Sequence, residues 1–191
     1  MLESLEKLDR MIFLQINGSH GAILDSVMWQ LSESWHTYTF VGLVAFYVYK
    51  KVNLKRAVEF LMGIAIVIAC SDLSANAVKY NVRRYRPTHN TEIQAQVHTV
   101  NDYRGGQYGF FSSHAANSFG ITTFIFLGLA AFRKKWHPVI FVYPLLIGYS
   151  RIYLGVHYPL DILAGAMCGV FFALVIHQVM VKHFFSKHEK N

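Results

Sequence analysis

The feature that most limits what this chain can fold into is a series of five long apolar segments. They cover residues 35–50, 57–79, 114–132, 138–154 and 158–181. A segment of about 20 apolar residues is long enough to cross the roughly 30 Å hydrocarbon core of a bilayer. One such segment would also fit a buried helix of a soluble protein, but five in a chain of 191 residues predict an all-α, polytopic membrane helical bundle. The composition agrees, since 53% of the residues are hydrophobic and only 15% are charged.

The first 34 residues leave the number of spans open, at five or six. Four apolar residues recur there at helical spacing, with charged residues between them: Leu2, Leu5, Leu8 and Ile12. This pattern is typical of an amphipathic helix in the membrane interface, and it fits an ordinary helix packed on the bundle equally well. The following stretch, AILDSVMWQLSESW, can form a second short helix or lengthen the first span. We expect a single domain, 1–191, with residues 1–34 as its interfacial N-terminal region.

Much of the net charge of +7 lies in three basic clusters at the ends of the apolar segments. The clusters consist of Lys50, Lys51, Lys55 and Arg56; of Arg133, Lys134 and Lys135; and of Lys182, Lys187 and Lys190. All three fall on one side of the membrane if the segments cross it alternately, and the positive-inside rule makes that side cytoplasmic. Topology therefore accounts for the charge, and no nucleic-acid partner is predicted.

A second set of polar residues lies at the opposite ends of the same segments. Its members are Lys79 and Arg86 after the second segment, Ser112, Ser113 and His114 at the start of the third, Arg151 at the end of the fourth, and His157 and Asp161 at the start of the fifth. Alternating spans place all of them on one face, away from the basic clusters. A charge within a span costs roughly 2.5–3.5 kcal/mol even on the more lenient insertion scale, so such residues indicate function.

These residue types suit a phosphate group. A tetrahedral dianion needs charge-assisted donors from several directions, and Lys79, Arg86 and Arg151 supply three cations. Ser112 and Ser113 are good N-cap residues for the helix that the third segment begins. The starts of helices add N–H groups and positive dipole ends. The sequence therefore predicts a phosphate site on this face.

The remaining three residues suit phosphoryl transfer. His157 and Asp161 are four residues apart, so they share a face of a helix. The carboxylate can hold one ring nitrogen of His157 and leave the other free to attack phosphorus. His114, from a separate helix, can then protonate the leaving oxygen. This set needs no metal and no cofactor.

Two alternatives use the same residues. A metal could be bound by His114, His157 and Asp161, but the nearby cations would oppose it, and the chain has no HxxxH or HExxH pattern. A non-enzymatic carrier or channel for anionic lipids could use the cationic pocket, but it has no reason to pair a histidine with an aspartate. Catalytic turnover would separate the carrier from an enzyme.

Three charged residues near the predicted site have simpler interpretations. We expect Asp72, within the second segment, to form structural hydrogen bonds with nearby polar residues or with a neighbouring helix. We expect Arg83 and Arg84 to be juxtamembrane charges that contact lipid headgroups. None of the three is predicted to take part in catalysis.

Taken together, three motifs closely resemble the signature of the type-2 phosphatidic acid phosphatase superfamily, over residues 57–182. They are Lys79-x6-Arg86-Pro87, Ser112-Ser113-His114, and Ser150-Arg151-x5-His157-x3-Asp161. The resemblance implies a catalytic helical bundle whose active site faces away from the cytoplasm, and a metal-independent mechanism through a phosphohistidine. It also implies the roles of single residues: His157 as nucleophile, Asp161 as its orienting group, His114 as general acid, and Lys79, Arg86, Ser112, Ser113 and Arg151 as phosphate-binding residues.

The second motif departs from the Pro-Ser-Gly-His pattern of the family, because this chain has Phe111 and Ser113 at the proline and glycine positions. Loss of the proline loosens the turn, and Ser113 adds a side chain where glycine would allow phosphate to approach closely. The serine and histidine that the chemistry needs remain. The departure therefore concerns the fit of the substrate more than the reaction.

The substrate and its location are predicted only as classes. Undecaprenyl diphosphate, phosphatidylglycerophosphate, lipid A phosphate and phosphatidic acid all carry phosphate at the interface beside an apolar tail. Residues 88–111 can form a mobile cover over the site or a plain connector. We expect an integral protein of a bacterial inner membrane, with the bilayer and a phosphorylated lipid as its partners and its site facing the periplasm or exterior.

Overall fold

The computed structural model describes residues 2–130 and 138–181, which contain seven α-helices. They are α1 (Leu2–Gly18), α2 (Ala22–Ser32), α3 (Trp35–Lys51), α4 (Leu54–Val82), α5 (Ser113–Ala130), α6 (Val142–Tyr153) and α7 (Pro159–Met180). A helix occupies the described part of each predicted apolar segment, so the all-α class is confirmed. The end of the third segment and the basic clusters at 133–135 and beyond residue 181 lie outside the described residues.

Among the described helices, α4 and α7 are long and apolar enough to cross a membrane, and the shorter apolar stretch Pro138–Tyr153 includes α6. The count of five or six spans stays a prediction. Local sequence explains where the two long helices begin. The side chain of Asn53 caps α4 by accepting from the backbone N–H of Arg56 at 2.9 Å, and α7 begins with a proline in its first turn.

The centre of the bundle is the interface between α5 and α7, where the two backbones approach closely. A Cβ atom on Gly169 would stand 1.9 Å from the carbonyl oxygen of Ala116, and one on Gly165 would stand 2.5 Å from that of Ser112. Only glycine fits at such distances, which is typical of membrane helices in close contact. This contact fixes the start of α5 against the start of α7, where two of the predicted motifs lie.

The core polar contact predicted for the second segment is confirmed. Oδ1 of Asp72 in α4 accepts a hydrogen bond from the side-chain amide of Asn117 in α5 at 3.0 Å. The carboxylate thus joins two helices. It has the structural role expected from the sequence.

Helix α1 packs on α6 and α7, and the face that it buries includes polar residues. Asp9, Phe13 and Asn17, spaced four residues apart, are all buried, whereas Leu5 and Leu8 are about half exposed. The interpretation as a helix packed on the bundle is therefore confirmed. The interpretation as an interfacial helix stays a prediction. The exposed apolar residues would form the face that contacts a bilayer surface.

Candidate active site

The turn between α6 and α7 places the predicted nucleophile beside its carboxylate. Nδ1 of His157 lies 3.4 Å from Oδ2 of Asp161, and both side chains are at most 2% exposed. This separation is longer than an ordinary hydrogen bond, as is common for catalytic contacts in ligand-free enzymes. The same carboxylate oxygen accepts from the backbone N–H of Tyr158 at 2.9 Å, which completes the cap of α7. Since Asp161 faces Nδ1, Nε2 is the ring nitrogen available for attack.

The turn before α5 lies directly against this pair. The backbone N–H of Ser112 donates to the carbonyl oxygen of Asp161 at 3.0 Å. The buried hydroxyl of Ser112 accepts from the backbone N–H of Ala115 at 3.4 Å, a weak cap for the helix. Ser113 and His114 follow in the first turn of α5, so the second and third motifs meet at one end of the α5–α7 interface.

Lys79 joins the cluster through the residue that departs from the family pattern. Its Nζ atom, near the end of α4, donates to the hydroxyl of Ser113 at 2.7 Å. A glycine at position 113 would have no group to accept this bond. The additional side chain therefore holds one of the predicted phosphate-binding cations.

Arg86 and Arg151 are both held by the segment that connects α4 with α5. Nη2 of Arg151 donates to the hydroxyl of Tyr103 at 2.9 Å, and Nε of Arg86 donates to the carbonyl oxygen of Tyr108 at 3.1 Å. Arg151 is only 2% exposed, and its Nε has no hydrogen-bond partner among the described residues. A buried, unpaired guanidinium N–H is a strong donor for an anion.

The environment keeps His157 neutral. Burial, together with the positive charges of Arg86 and Arg151, lowers its pKa to about 4, although Asp161 acts in the opposite direction. An imidazole with so low a pKa has a free lone pair at neutral pH. It is therefore in the protonation state that a nucleophile needs.

The structure brings all eight predicted site residues to one end of the bundle, and it adds others that the motifs did not indicate. Tyr103 holds Arg151, and Gly109 lies so close to the pair that a Cβ there would stand 3.1 Å from Oδ2 of Asp161. In the sequence, only the position of the segment 88–111 between two motifs indicated that Tyr103 and Gly109 could lie near the site. Because this segment supplies contacts to both arginines, it is more than a plain connector.

The prediction for Arg84 was wrong. Its guanidinium does not point to lipid headgroups but forms ion pairs of 2.6 Å with Asp161 and with Asp9 of α1. Arg83, in contrast, is exposed, so its predicted headgroup contact stays a prediction.

Asp9 was not predicted from the sequence, because its helix carries no motif. The sequence does place Asp9 four and eight residues before Phe13 and Asn17, so the three residues share one face of the helix.

A cavity of about 290 Å³ opens beside His114, between the described parts of α3, α4, α5 and α6. Its polar lining includes Asp72, Ser113 and Asn117, and its apolar lining includes Ile121 and Ile147. His114 is thus accessible from a space that combines polar and apolar walls, as a phosphorylated lipid would require.

Comparison with known proteins identifies the family of the chain. Residues 56–185 match the model of the PAP2 superfamily, and the chain belongs to this superfamily. A lipid A 4'-phosphatase of Bacteroides thetaiotaomicron is 32% identical over 189 residues, which cover 95% of this chain and 83% of the relative. A lipid A 4'-phosphatase of Porphyromonas gingivalis is also 32% identical, over 93% of this chain and 75% of the relative.

The fold is shared with a solved structure. The transmembrane PAP2-type phosphatidylglycerolphosphate phosphatase of Bacillus subtilis superposes with a TM-score of 0.69 at 20% identity, over 98% of this chain and 89% of that chain. The superfamily match and the two relatives together show that the chain is a phosphatase of the PAP2 superfamily. The two lipid A 4'-phosphatases favour an enzyme over the carrier alternative. A relative of Bacillus licheniformis, 29% identical over 88% of this chain and 76% of the relative, is named a bacitracin transport permease protein.

Proposed function

We propose that the protein is an integral membrane enzyme that hydrolyses the phosphate of a lipid phosphomonoester or diphosphate through a phosphohistidine on His157. The observation that carries the proposal is the buried pair of His157 and Asp161, with Nδ1 facing the carboxylate and buried Arg151 nearby. The pair provides a buried nucleophile whose Nδ1 faces a carboxylate, which leaves Nε2 for the attack. The arginine provides donors for the oxygens of the group under attack.

The reaction would take two steps. In the first, Nε2 of His157 attacks phosphorus, the bond to the lipid oxygen breaks, and His114 gives that oxygen a proton. In the second, His114 takes a proton from water, the hydroxide attacks phosphorus, and the bond to His157 breaks to release inorganic phosphate. Lys79, Arg86, Arg151, Ser112 and the Ser113 amide would hold the charged oxygens in both steps, in keeping with the importance of positioning and charge in phosphoryl transfer.

No metal is assigned to these steps, because side-chain cations can neutralise the phosphate. We expect activity to survive incubation with EDTA and to be inhibited by orthovanadate, which can adopt the five-coordinate geometry of the transition state. Loss of activity in EDTA, with recovery on addition of zinc or magnesium, would contradict this part of the proposal.

The substrate that we propose first is a lipid A phosphate. It is supported by the two relatives, which are named lipid A 4'-phosphatases and match most of this chain. The cavity beside His114 supports a lipid in general, because His114 is the proposed donor to the leaving oxygen and the cavity has an apolar wall. Phosphate release by the purified protein should be measured with lipid A, undecaprenyl diphosphate, phosphatidylglycerophosphate and phosphatidic acid, and we expect the highest kcat/KM for lipid A.

We also propose that the site faces the periplasm or exterior of a bacterial inner membrane. The proposal rests on the predicted alternation of the spans and on the basic clusters, which this alternation assigns to the opposite side of the membrane. Cysteines introduced at positions 95 and 134 should differ in labelling from outside intact cells, with only position 95 modified. The reverse pattern would overturn this orientation.

The assignment of the two histidines is tested by a substrate with a good leaving group. Nitrophenyl phosphate needs no proton on its leaving oxygen, so His114→Ala should retain the first step and lose most of the second. Rapid quenching with labelled substrate should then find phosphate on His157 of this variant, whereas His157→Ala should form no phosphoenzyme. Label on another residue, or turnover by His157→Ala, would contradict the mechanism.

A further inference from the structure

One arginine connects the proposed catalytic carboxylate with the N-terminal helix. Nη1 of Arg84 donates to Oδ1 of Asp161, and Nη2 of the same guanidinium donates to Oδ2 of Asp9, both at 2.6 Å. Both carboxylates are almost fully buried. Such charge-assisted bonds from a planar fork fix direction as well as distance. The orientation of Asp161 is therefore tied to the position of α1.

Asp9 also holds the helix on which Asp161 lies. Its Oδ1 atom accepts from the backbone N–H of Leu160 at 2.8 Å, in the first turn of α7. The first N–H groups of a helix have no partner within the helix, so a carboxylate there satisfies one of them and interacts favourably with the helix dipole. One side chain of α1 thus fixes both the arginine and the start of α7.

Aromatic residues also contact Arg84 next to the turn that carries His157. The guanidinium of Arg84 lies over the ring of Tyr158, 4.2 Å from its centroid, and Phe13 of α1 packs edge-on against that ring at 5.4 Å. Two carboxylates and an aromatic face therefore contact the guanidinium of Arg84. Its charge is used within the protein and is not directed at a phosphate.

We infer that Asp9 and Arg84 are positioning residues that hold Asp161, and through it His157, in the geometry for attack. The inference rests on the proposed function, because it requires His157 to be the nucleophile. It assigns to α1 a part in the active site that no motif of the chain indicates. The contacts run from Asp9 through Arg84 and Asp161 to Nδ1 of His157.

The physical reason is the freedom that Asp161 would otherwise have. Oδ2 of Asp161 binds the N–H of Tyr158 and lies beside His157, so rotation of the carboxylate about its axis moves both contacts together. The bond from Arg84 to the other oxygen prevents this rotation. A shift of about 1 Å in a reacting group can reduce the rate by about 100-fold. The loss should appear in kcat and leave phosphate binding largely unchanged.

Asp9→Asn is the sharpest test, because it is the mildest change. The amide oxygen can still accept from Leu160, and Arg84 keeps Asp161 as its counter-ion, so no buried charge is left alone. Arg84→Lys is the second variant, since an ammonium keeps the charge but has no planar fork to direct one bond to each of the two carboxylates. Glu6→Gln is the matched control, because it makes the same chemical change on an exposed residue of the same helix.

The measurement is the burst of phosphoenzyme formed with labelled nitrophenyl phosphate, in which the amplitude counts active sites and the rate constant reports attack. We expect Asp9→Asn and Arg84→Lys to keep most of the amplitude and to lower the rate constant about 10- to 100-fold, with KM changed less than kcat. Glu6→Gln should match the wild type. The double variant should lose no more than the more impaired single variant, because both residues act through the same carboxylate.

The outcomes distinguish failure of the positioning role from failure of the proposed phosphohistidine mechanism. A wild-type enzyme that forms no phosphohistidine would contradict the nucleophile assignment, and the positioning role would fail with it. Labelling of the wild type together with an unchanged rate constant in Asp9→Asn and Arg84→Lys would overturn the positioning role alone. A smaller amplitude with an unchanged rate constant would mean that the two residues only stabilise the fold, and would also overturn it.

Discussion

Two regions of the molecule surround the same site and contribute different kinds of residue. The turns at the starts of α5 and α7 bring the groups proposed to bind and attack phosphate, including His114 and His157. The connecting segment 88–111 and α1, together called the surrounding region, bring groups that hold the first set in place, such as Tyr103 against Arg151 and Asp9 against Arg84. The turns are fixed by close backbone contact between two helices, whereas the second region acts through side chains.

This difference indicates which changes should be severe and which should be graded. A group that bonds to phosphate or donates to it has no substitute, because its chemistry is lost with the side chain. A group that holds another in place can be replaced in part by packing or by a second contact. Substitutions in the turns should therefore cost more than substitutions in the surrounding region, and the experiments below can break that order.

Among substitutions that leave both histidines in place, the largest effect is expected for Arg151→Lys. The lysine keeps the charge but loses the planar fork and the buried Nε donor, and we expect kcat/KM to fall about 100- to 1,000-fold, as for the loss of a donor to a developing oxyanion. Steady-state kinetics with the best lipid substrate measures it. Arg104→Lys, an exposed arginine of the connecting segment, is the control and should stay near wild type. Near-normal kinetics in Arg151→Lys would remove this arginine from the site.

The pH dependence should reflect how deeply the surrounding region buries His157. Its pKa of about 4 means that the ring is neutral and able to attack above that pH, and is protonated below it. We expect the acid limb of kcat/KM for nitrophenyl phosphate, corrected for ionisation of the substrate, to fall about tenfold per unit only below about pH 4. A limb near the ordinary histidine pKa of about 6.5 would mean that His157 is solvated and not enclosed.

The two regions also differ in what the sequence could predict. Each catalytic group lies at the end of an apolar segment, so the alternation of spans and fixed motif spacing were enough to bring Lys79, His114 and Asp161 together. The contacts of Asp9 and Arg84 join residues 75 positions apart through an ion pair, and no local periodicity encodes such a pair. Arg84 was misassigned for a related reason: next to a membrane span, an arginine that binds lipid and one that binds a buried carboxylate have the same local sequence.

A graded effect is expected from Gly109→Ala in the surrounding region. The added Cβ would stand 3.1 Å from both Cγ of Arg86 and Oδ2 of Asp161, so these side chains must move by a few tenths of an ångström. Overpacking of this kind costs about 1–3 kcal/mol, and we expect kcat to fall about tenfold. Gly106→Ala is the control, because a Cβ there would meet nothing within 4 Å. Equal kinetics of the two variants would show that the approach of Gly109 has no role in catalysis.

The smallest effect is expected at Ser113. This residue lies in the first turn of α5, but its side chain holds another residue in place, as the side chains of the surrounding region do. Its hydroxyl accepts from Lys79 at 2.7 Å, so it positions a cation, while its Cβ occupies space that a glycine would leave to phosphate. Ser113→Ala removes only the hydroxyl, and we expect a loss of about two- to fivefold in kcat/KM, equivalent to a weak hydrogen bond of about 0.5–1 kcal/mol. Ser113→Gly also removes the Cβ and should recover part of that loss if closer approach of phosphate compensates. If Ser113→Gly is instead the slower of the two variants, with stability unchanged, the Cβ helps to fix the turn before α5 and is no obstacle to the substrate.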